Sequence, residues 1–410
     1  MDKFRSLGIS EELVKAVEES GFKEPTEIQG KTIPLAVAGK DIIGGSATGS
    51  GKTFAFGASI LDHVKPKGGV QALILSPTRE LAEQIGKSLH SFSRYKPIKF
   101  AVVYGGVGIS PQIDEISRAE IVVGTPGRIL DHMERGTFKL DKIDVLVLDE
   151  ADRMLDMGFI DDVRRIIEAC PKERQTMLFS ATINKDISYL AAKYMKNPVE
   201  VSVESYVDAS KLEQIYYDVP SNVKFSLLVH LLKREQSDLV MVFCNTRMNS
   251  DFVANNLQAQ GFDAVAIHGG LTQSKRSRIM ESFHKGKVGV LVCTDVAARG
   301  LDVKGVSHVY NYDISKTSTE YVHRIGRTAR AGTEGKAISI VAQRDYENFR
   351  RVLENGDIKI TAVELPNEIE PVRLKIEQRR GGRRFGGHRD GGHRGGRGYG
   401  DRRGAPRRRY

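Results

Sequence analysis

The chain has few cysteines, no long apolar run and, outside its last residues, no net charge. Cys170, Cys244 and Cys293 are its three cysteines in 410 residues, and they lie far apart. An odd set of scattered thiols excludes a disulfide framework and a metal site of closely spaced ligands, so buried free thiols are expected. No apolar stretch approaches the ~18 residues of a membrane span, and Met1-Asp2-Lys3-Phe4-Arg5 is not followed by a secretory apolar core. A soluble, cytoplasmic protein with no membrane partner is expected. The formal net charge is +10, from 62 basic and 52 acidic residues. The segment from Arg379 to Tyr410 carries 12 arginines, no lysine and 2 aspartates, and the remainder is balanced at 50 of each sign. The basicity is therefore a property of the tail and says little about the folded part.

What is present is length and alternation. A chain of 410 residues exceeds one hydrophobic core, so two domains of about 150 to 200 residues are expected. From Asp41 to about Glu204 short apolar runs alternate with helical stretches: 41–44, 72–75, 101–104, 121–123, 145–148 and 176–179. They are apolar on successive residues, as strands covered on both faces should be, which predicts an α/β fold with a parallel sheet between helices. After a polar connector near 205–212, a second series at 239–243, 264–267, 288–292, 306–310 and 337–341 predicts a second domain of the same architecture. Beyond about Glu370 the pattern dissolves into Gly and Arg, and disorder is expected there. The bounds are 1–205 for the first domain, 206–211 for a linker, 212–368 for the second and 369–410 for the tail.

The chemistry concentrates after the strands. Ser46-Ala47-Thr48-Gly49-Ser50-Gly51-Lys52-Thr53 follows a strand-like run and opens a helix, the context of a phosphate loop. Backbone N–H groups at such a helix start face phosphates, Lys52 neutralises their oxygens, and Thr53 offers a hydroxyl to Mg²⁺. Ser46 stands where the general motif has Gly. Downstream, Val145 to Leu148 ends in Asp149-Glu150-Ala151-Asp152. A carboxylate at the end of a buried parallel strand can hold Mg²⁺ beside those phosphates. Asp149 is the metal-side candidate, partly through water, and Glu150 the water-orienting one; with Lys52 they point to a nucleotide triphosphatase.

Together these motifs resemble the DEAD-box RNA helicases, from Phe4 to about Gly332 and in family order. That resemblance implies two tandem RecA-like domains and an ATP-dependent RNA helicase. Gly21 to Gln29 is similar to the Q-motif, which implies that Gln29 reads the adenine edge, Phe4 stacks on the base and Pro25 belongs to the same nucleotide site. Ser180-Ala181-Thr182 matches the motif that couples hydrolysis to strand separation, and Asp152 and His323 join Ser180 and Thr182 in that role. The residues matching RNA contacts are Pro77, Thr78, Arg79, Gly105, Gly106, Thr125, Gly127 and Arg128 in the first domain, with Arg247, Gly270, Gln273 and Thr294 in the second. His323-Arg324-Ile325-Gly326-Arg327-Thr328-Ala329-Arg330 implies that Arg327 and Arg330 reach the γ-phosphate from the second domain, and Asp302 the ribose. Arg324 is open between that role and a salt-bridged surface residue. Ala329 stands where the family usually has Gly, and would be strained if the backbone there has positive φ.

The tail interleaves Arg-Gly-Gly units with Phe385, Tyr399 and Tyr410. It is expected to add RNA affinity without sequence choice and to support strand annealing. The expected partner is single-stranded RNA or a short duplex, read through its backbone with little sequence preference. A non-catalytic RNA-binding protein and a DNA helicase are the competing classes. The first is disfavoured by the full set Lys52, Thr53, Asp149, Glu150, Arg327 and Arg330, the second by the Q-motif together with Asp149 to Asp152.

Overall fold

A computed structural model of the chain describes residues 1–375 except 46–49, 184, 204–210, 236–237, 299–302, 304, 330–333 and 355–357. The first series of strands is β1 (Ile42–Gly45), β2 (Ala72–Leu75), β3 (Phe100–Val103), β4 (Ile121–Gly124), β5 (Val145–Leu148), β6 (Gln175–Ser180) and β7 (Val199–Ser202). The second is β8 (Leu212–Asp218), β9 (Leu239–Phe243), β10 (Ala264–Ile267), β11 (Val290–Cys293), β12 (Val306–Asn311), β13 (Gly335–Val341) and β14 (Thr361–Ala362). Each series forms one sheet, ordered β3-β4-β2-β5-β6-β1-β7 and β10-β11-β9-β12-β13-β8-β14. The second order repeats the first strand for strand, and the described pairings are parallel.

The fold follows from covering both faces of each sheet. β2, β4, β5 and β11 are buried along their whole length. One core lies on each face of the first sheet: Ile74, Val123 and Val147 point into one, Leu73, Val122 and Leu146 into the other. The second sheet repeats this, with Cys244 in one core and Cys293 in the opposite one. All three cysteines are buried and free, and burial pushes the Cys244 and Cys293 thiols up. In register, Leu148 of β5 pairs with Leu75 of β2 and Leu178 of β6, so the residues that follow these strands emerge along one edge of the sheet. Both sheets belong to one compact unit, Met1 to Leu374. Among the described residues no helix is long and apolar enough to cross a membrane.

β7, β8 and β14 have no counterpart among the apolar runs of the sequence. β8, Leu-Glu-Gln-Ile-Tyr-Tyr-Asp, buries only Leu212, Ile215 and Tyr217, and β7 only Val201. Such strands near a sheet edge are buried in part, and a search for continuous apolar runs passes over them. The packed part also continues past 368: Leu365, Ile369 and Val372 lie against the second sheet's core, and the Val372 N–H donates to Ser226 Oγ at 3.1 Å. Residues 206–210 of the expected linker and 376–410 of the tail lie outside the described residues.

A buried ion pair ties the helix Lys224–Arg234 to the turn before the helix Tyr346–Leu353. Lys224 is 1% and Asp345 4% exposed, and the ammonium donates to Asp345 Oδ2, which also accepts from the Ala342 N–H. Removing one partner strands the other charge in the interior. Lys224→Ala is expected to cost about 3–5 kcal/mol, and Lys224→Ala with Asp345→Ala distinctly less. Urea denaturation of the whole chain, followed for its second-domain transition, measures both.

Candidate nucleotide and RNA site

The phosphate-loop end begins at Gly51, which has φ 95° and caps the helix Lys52–His63. A Cβ there would stand 2.5 Å from Gln29 Nε2, so both the backbone and the close neighbour require glycine. Gln29 is fully buried beneath this turn: Nε2 donates to the Gly51 carbonyl at 3.1 Å, and Oε1 accepts from the Thr26 N–H at 3.0 Å. Thr26 Oγ1 donates to the Ser50 carbonyl at 2.9 Å. The Q-motif segment thus anchors the loop from below. Pro25 is half-buried beside it. Phe4 corrects its sequence reading: its ring is fully buried, edge-on to Phe54 with centroids 6.0 Å apart, and presents no free face to a base. An aromatic cluster with Phe22, Phe54 and Phe92 takes up the area that stacking would have used. Ser46, Ala47, Thr48, Gly49, Asp302 and Arg330 lie outside the described residues.

Beyond β5 the acidic run is buried. Lys52 Nζ stands 3.9 Å from Asp149 Oδ1, with the two residues 6% and 2% exposed. Burial pushes the Asp149 carboxyl up to about 6, against the pull of Lys52. A carboxylate this poorly solvated and loosely paired suits a hard divalent cation, and Thr53 opens the same helix with an oxygen donor. Among the described residues no cluster of three or more His, Cys, Asp or Glu could hold a metal ion. Glu150 follows with φ 52° and ψ 52°, a left-handed conformation costing about 1–3 kcal/mol for a non-glycine residue. Asp152 Oδ2 accepts from both the N–H and the Oγ1 of Thr182 at 2.9 Å, while Ser180 Oγ accepts from the Asp152 N–H at 3.3 Å. Asp152, Ser180 and Thr182 are therefore one hydrogen-bonded unit across the ends of β5 and β6.

The second sheet closes over this unit. Arg153, Asp295, Ala298, Glu320, His323, Arg324 and Arg327 line one small cavity, the first from the first domain and the rest from the second. Burial, then the charge of Arg153, push the His323 imidazole down to about 4, so it is neutral near pH 7. Arg324 proves salt-bridged, but in the interior. It is 1% exposed, holds Asp295 through two bonds of 2.6 and 2.7 Å, and donates to Asn245 Oδ1 at 2.8 Å and to the Asp313 carbonyl. It fastens three loops of the second sheet to each other.

The RNA-side candidates fall into two matching devices. After β2, Thr78 Oγ1 accepts from the Leu81 N–H at 3.3 Å, and Arg79 lies against Gly106, where a Cβ would stand 2.2 Å from its Nη1. After β9, the topological counterpart of β2, Thr246 Oγ1 accepts from the Asn249 N–H at 3.1 Å, and Arg247 lies against Gly269 and Gly270. Each sheet thus shelves one arginine on a Gly-Gly turn. Arg128 bonds the Val107 carbonyl at 3.0 Å and Gln112 at 3.2 Å, joining the loops of Gly105–Gly106 and Thr125–Gly127. Thr125 and Gln273 are half-buried, Gly127 is exposed, and Pro77 and Thr294 are buried. Arg276 and Glu80 form an ion pair across the two sheets at 3.0 Å, immediately beside Arg79.

A family model for the DEAD/DEAH box helicase matches residues 26–190, and one for the helicase conserved C-terminal domain matches 223–332. The chain is 47% identical to the ATP-dependent RNA helicase CshA of Listeria monocytogenes over 89% of this chain and 71% of that one. It superposes on S. cerevisiae Dbp5 bound to RNA and ADP BeF3 with a TM-score of 0.80 and 32% identity, covering 89% of this chain and 96% of the other. For a DEAD box protein of the hyperthermophile Methanococcus jannaschii the TM-score is 0.55 at 42% identity, covering 88% and 99%. The chain belongs to the DEAD-box ATP-dependent RNA helicases.

Two features of the site were not drawn from the sequence. Arg153 directly follows the acidic run and is fully buried against Glu150, and the pairing of Glu80 with Arg276 crosses the domains. Position beside known motifs was the available signal for both. Ala329 has φ 53° and is 1% exposed, so the strain conditional on positive φ is present. Gly335 packs on this turn, where a Cβ would stand 2.5 Å from the Ala329 nitrogen. Ala329→Gly is expected to keep the fold and ATP turnover, whereas Ala329→Val should cost about 2 kcal/mol or more in thermal unfolding, since β-branching is worst at positive φ.

Proposed function

We propose that this helicase hydrolyses ATP when RNA brings its two RecA-like domains together, and that closure separates short duplexes locally without tracking along them. The observation that carries the reading is the shared cavity in which Arg153 meets His323, Arg324 and Arg327. The higher TM-score with the RNA- and ADP BeF3-bound Dbp5 than with the more identical M. jannaschii protein also supports a closed arrangement. In this reading the domains are 1–205 and 212–368 with the linker at 206–211, the second extended by the packing of Ile369 and Val372, and the protein works in the cytoplasm.

Lys52 neutralises phosphate oxygens of ATP, and the N–H groups of the loop from Ser46 to Thr53 cradle them. Gln29 holds the loop, and with Pro25 and Asp302 it favours adenosine through its base edge and ribose. Thr53 and Asp149 would hold Mg²⁺, which when bound would neutralise charge on the phosphates. Glu150 orients the attacking water. Arg327 and Arg330 stabilise transition-state charge from the second domain; arginines supplied this way contribute roughly 10³ to 10⁵ in rate. Asp152, Ser180, Thr182 and His323 tie closure at the nucleotide to the RNA path. Arg79, Arg247, the Gly-Gly turns and the loops at Thr125 to Arg128 and Gln273 grip the sugar-phosphate backbone, which makes recognition indifferent to sequence. The tail from 369 to 410 adds affinity through counterion release and supports annealing.

Steady-state ATP hydrolysis with single-stranded RNA, and with DNA of the same sequence, tests this. RNA is expected to raise turnover strongly and DNA weakly, with Lys52→Ala and Glu150→Gln abolishing the stimulated rate. Full stimulated turnover by either variant would refute the site.

A further inference from the structure

Arg153 is among the largest fully buried side chains of the molecule, at 1% exposure. A buried guanidinium is costly unless its charge is met by a well-placed partner, and here that partner is Glu150. Arg153 Nη1 donates to Glu150 Oε2, one helical turn back, in a pair whose side chains are 2% and 5% exposed. The Arg153 N–H also donates to Asp152 Oδ1 at 3.0 Å, which fixes the start of the short helix Ala151–Asp156. Glu150 itself leaves β5 through a strained left-handed backbone, which sets where its side chain starts and leaves the terminal carboxylate to be aimed by a partner. A charged hydrogen bond to one oxygen arrests rotation about the last side-chain bond and thereby aims the other.

The small cavity beside Arg153 is otherwise lined from the second domain, by Asp295, Ala298, Glu320, His323, Arg324 and Arg327. Its Nε is buried and makes no hydrogen bond. Separation of the domains would admit water to Arg153 and let the pair with Glu150 loosen, because an ion pair in water is worth far less than a buried one. We propose that Arg153 is a positioning residue: it aims the Glu150 carboxylate for hydrolysis, and only while the second domain covers it. This gives the closed state a second hold on turnover, independent of the arginines that reach the phosphate.

The inference rests on Glu150 as the water-orienting residue, and the two can fail separately. The experiment measures RNA-stimulated ATP hydrolysis of the full chain carrying Arg153→Gln, Arg153→Lys, Glu150→Gln, and Glu150→Gln with Arg153→Gln, the last two under single-turnover conditions. Arg153→Gln is expected to lower kcat roughly 10- to 100-fold, the scale of a misaimed group. The KM for ATP should stay within about threefold, since ground-state binding is not its task. Arg153→Lys should recover most of the loss, and in the Glu150→Gln background Arg153→Gln should change the rate less than about twofold. Unchanged kcat in Arg153→Gln, a rise in KM alone, or an equal further loss on top of Glu150→Gln would each overturn the inference. If Arg153→Gln does not fold, Arg153→Met takes its place in both Glu150 backgrounds with the same expectation, and an equal loss in both overturns the inference. Full activity of Glu150→Gln would instead strike the reading of Glu150 itself.

Discussion

Groups that act on a triphosphate must be buried to be strong, yet a buried charge is tolerated only beside its opposite. This constraint organises the molecule. Each half settles its own account first: Glu150 with Arg153 and Lys52 near Asp149 in the first domain, Arg324 with Asp295 and Lys224 with Asp345 in the second. Arg327 and His323 enter the surroundings of Glu150 only where the two halves meet.

Duplication explains how one fold serves both ends of the coupling. The two sheets share one strand order, so the loops after β2 and β9, and after β3 and β10, occupy matching places. At those places each half carries a threonine-capped helix start and an arginine laid on a Gly-Gly turn. The first sheet alone adds a phosphate loop. The ion pair between Glu80 and Arg276 joins the two halves beside the first arginine shelf.

Much of this was legible in the sequence, because the buried central strands are written as continuous apolar runs and most of the motifs follow one. β7, β8 and β14 were not, since their burial is interrupted or slight. Residue identity located the site better than it assigned roles. Phe4 was matched correctly in order, but its partner, Phe54, is fixed by tertiary packing that no local pattern records. Gln29 also braces Gly51, and Arg324 fastens loops in the interior, contacts set by tertiary packing. Ala329 shows the opposite case, where a single departure from the usual glycine allowed a conditional statement about backbone strain, and φ met the condition.

The central claim is that ATP and RNA together hold the halves closed. Fluorescence energy transfer between one dye on the exposed face of each domain measures this directly, with neither ligand, with each alone, and with both using a non-hydrolysable ATP analogue. A high-transfer state that dominates only when both are present is the predicted result. Transfer that does not change with the ligands, or that rises fully with ATP alone, would contradict it.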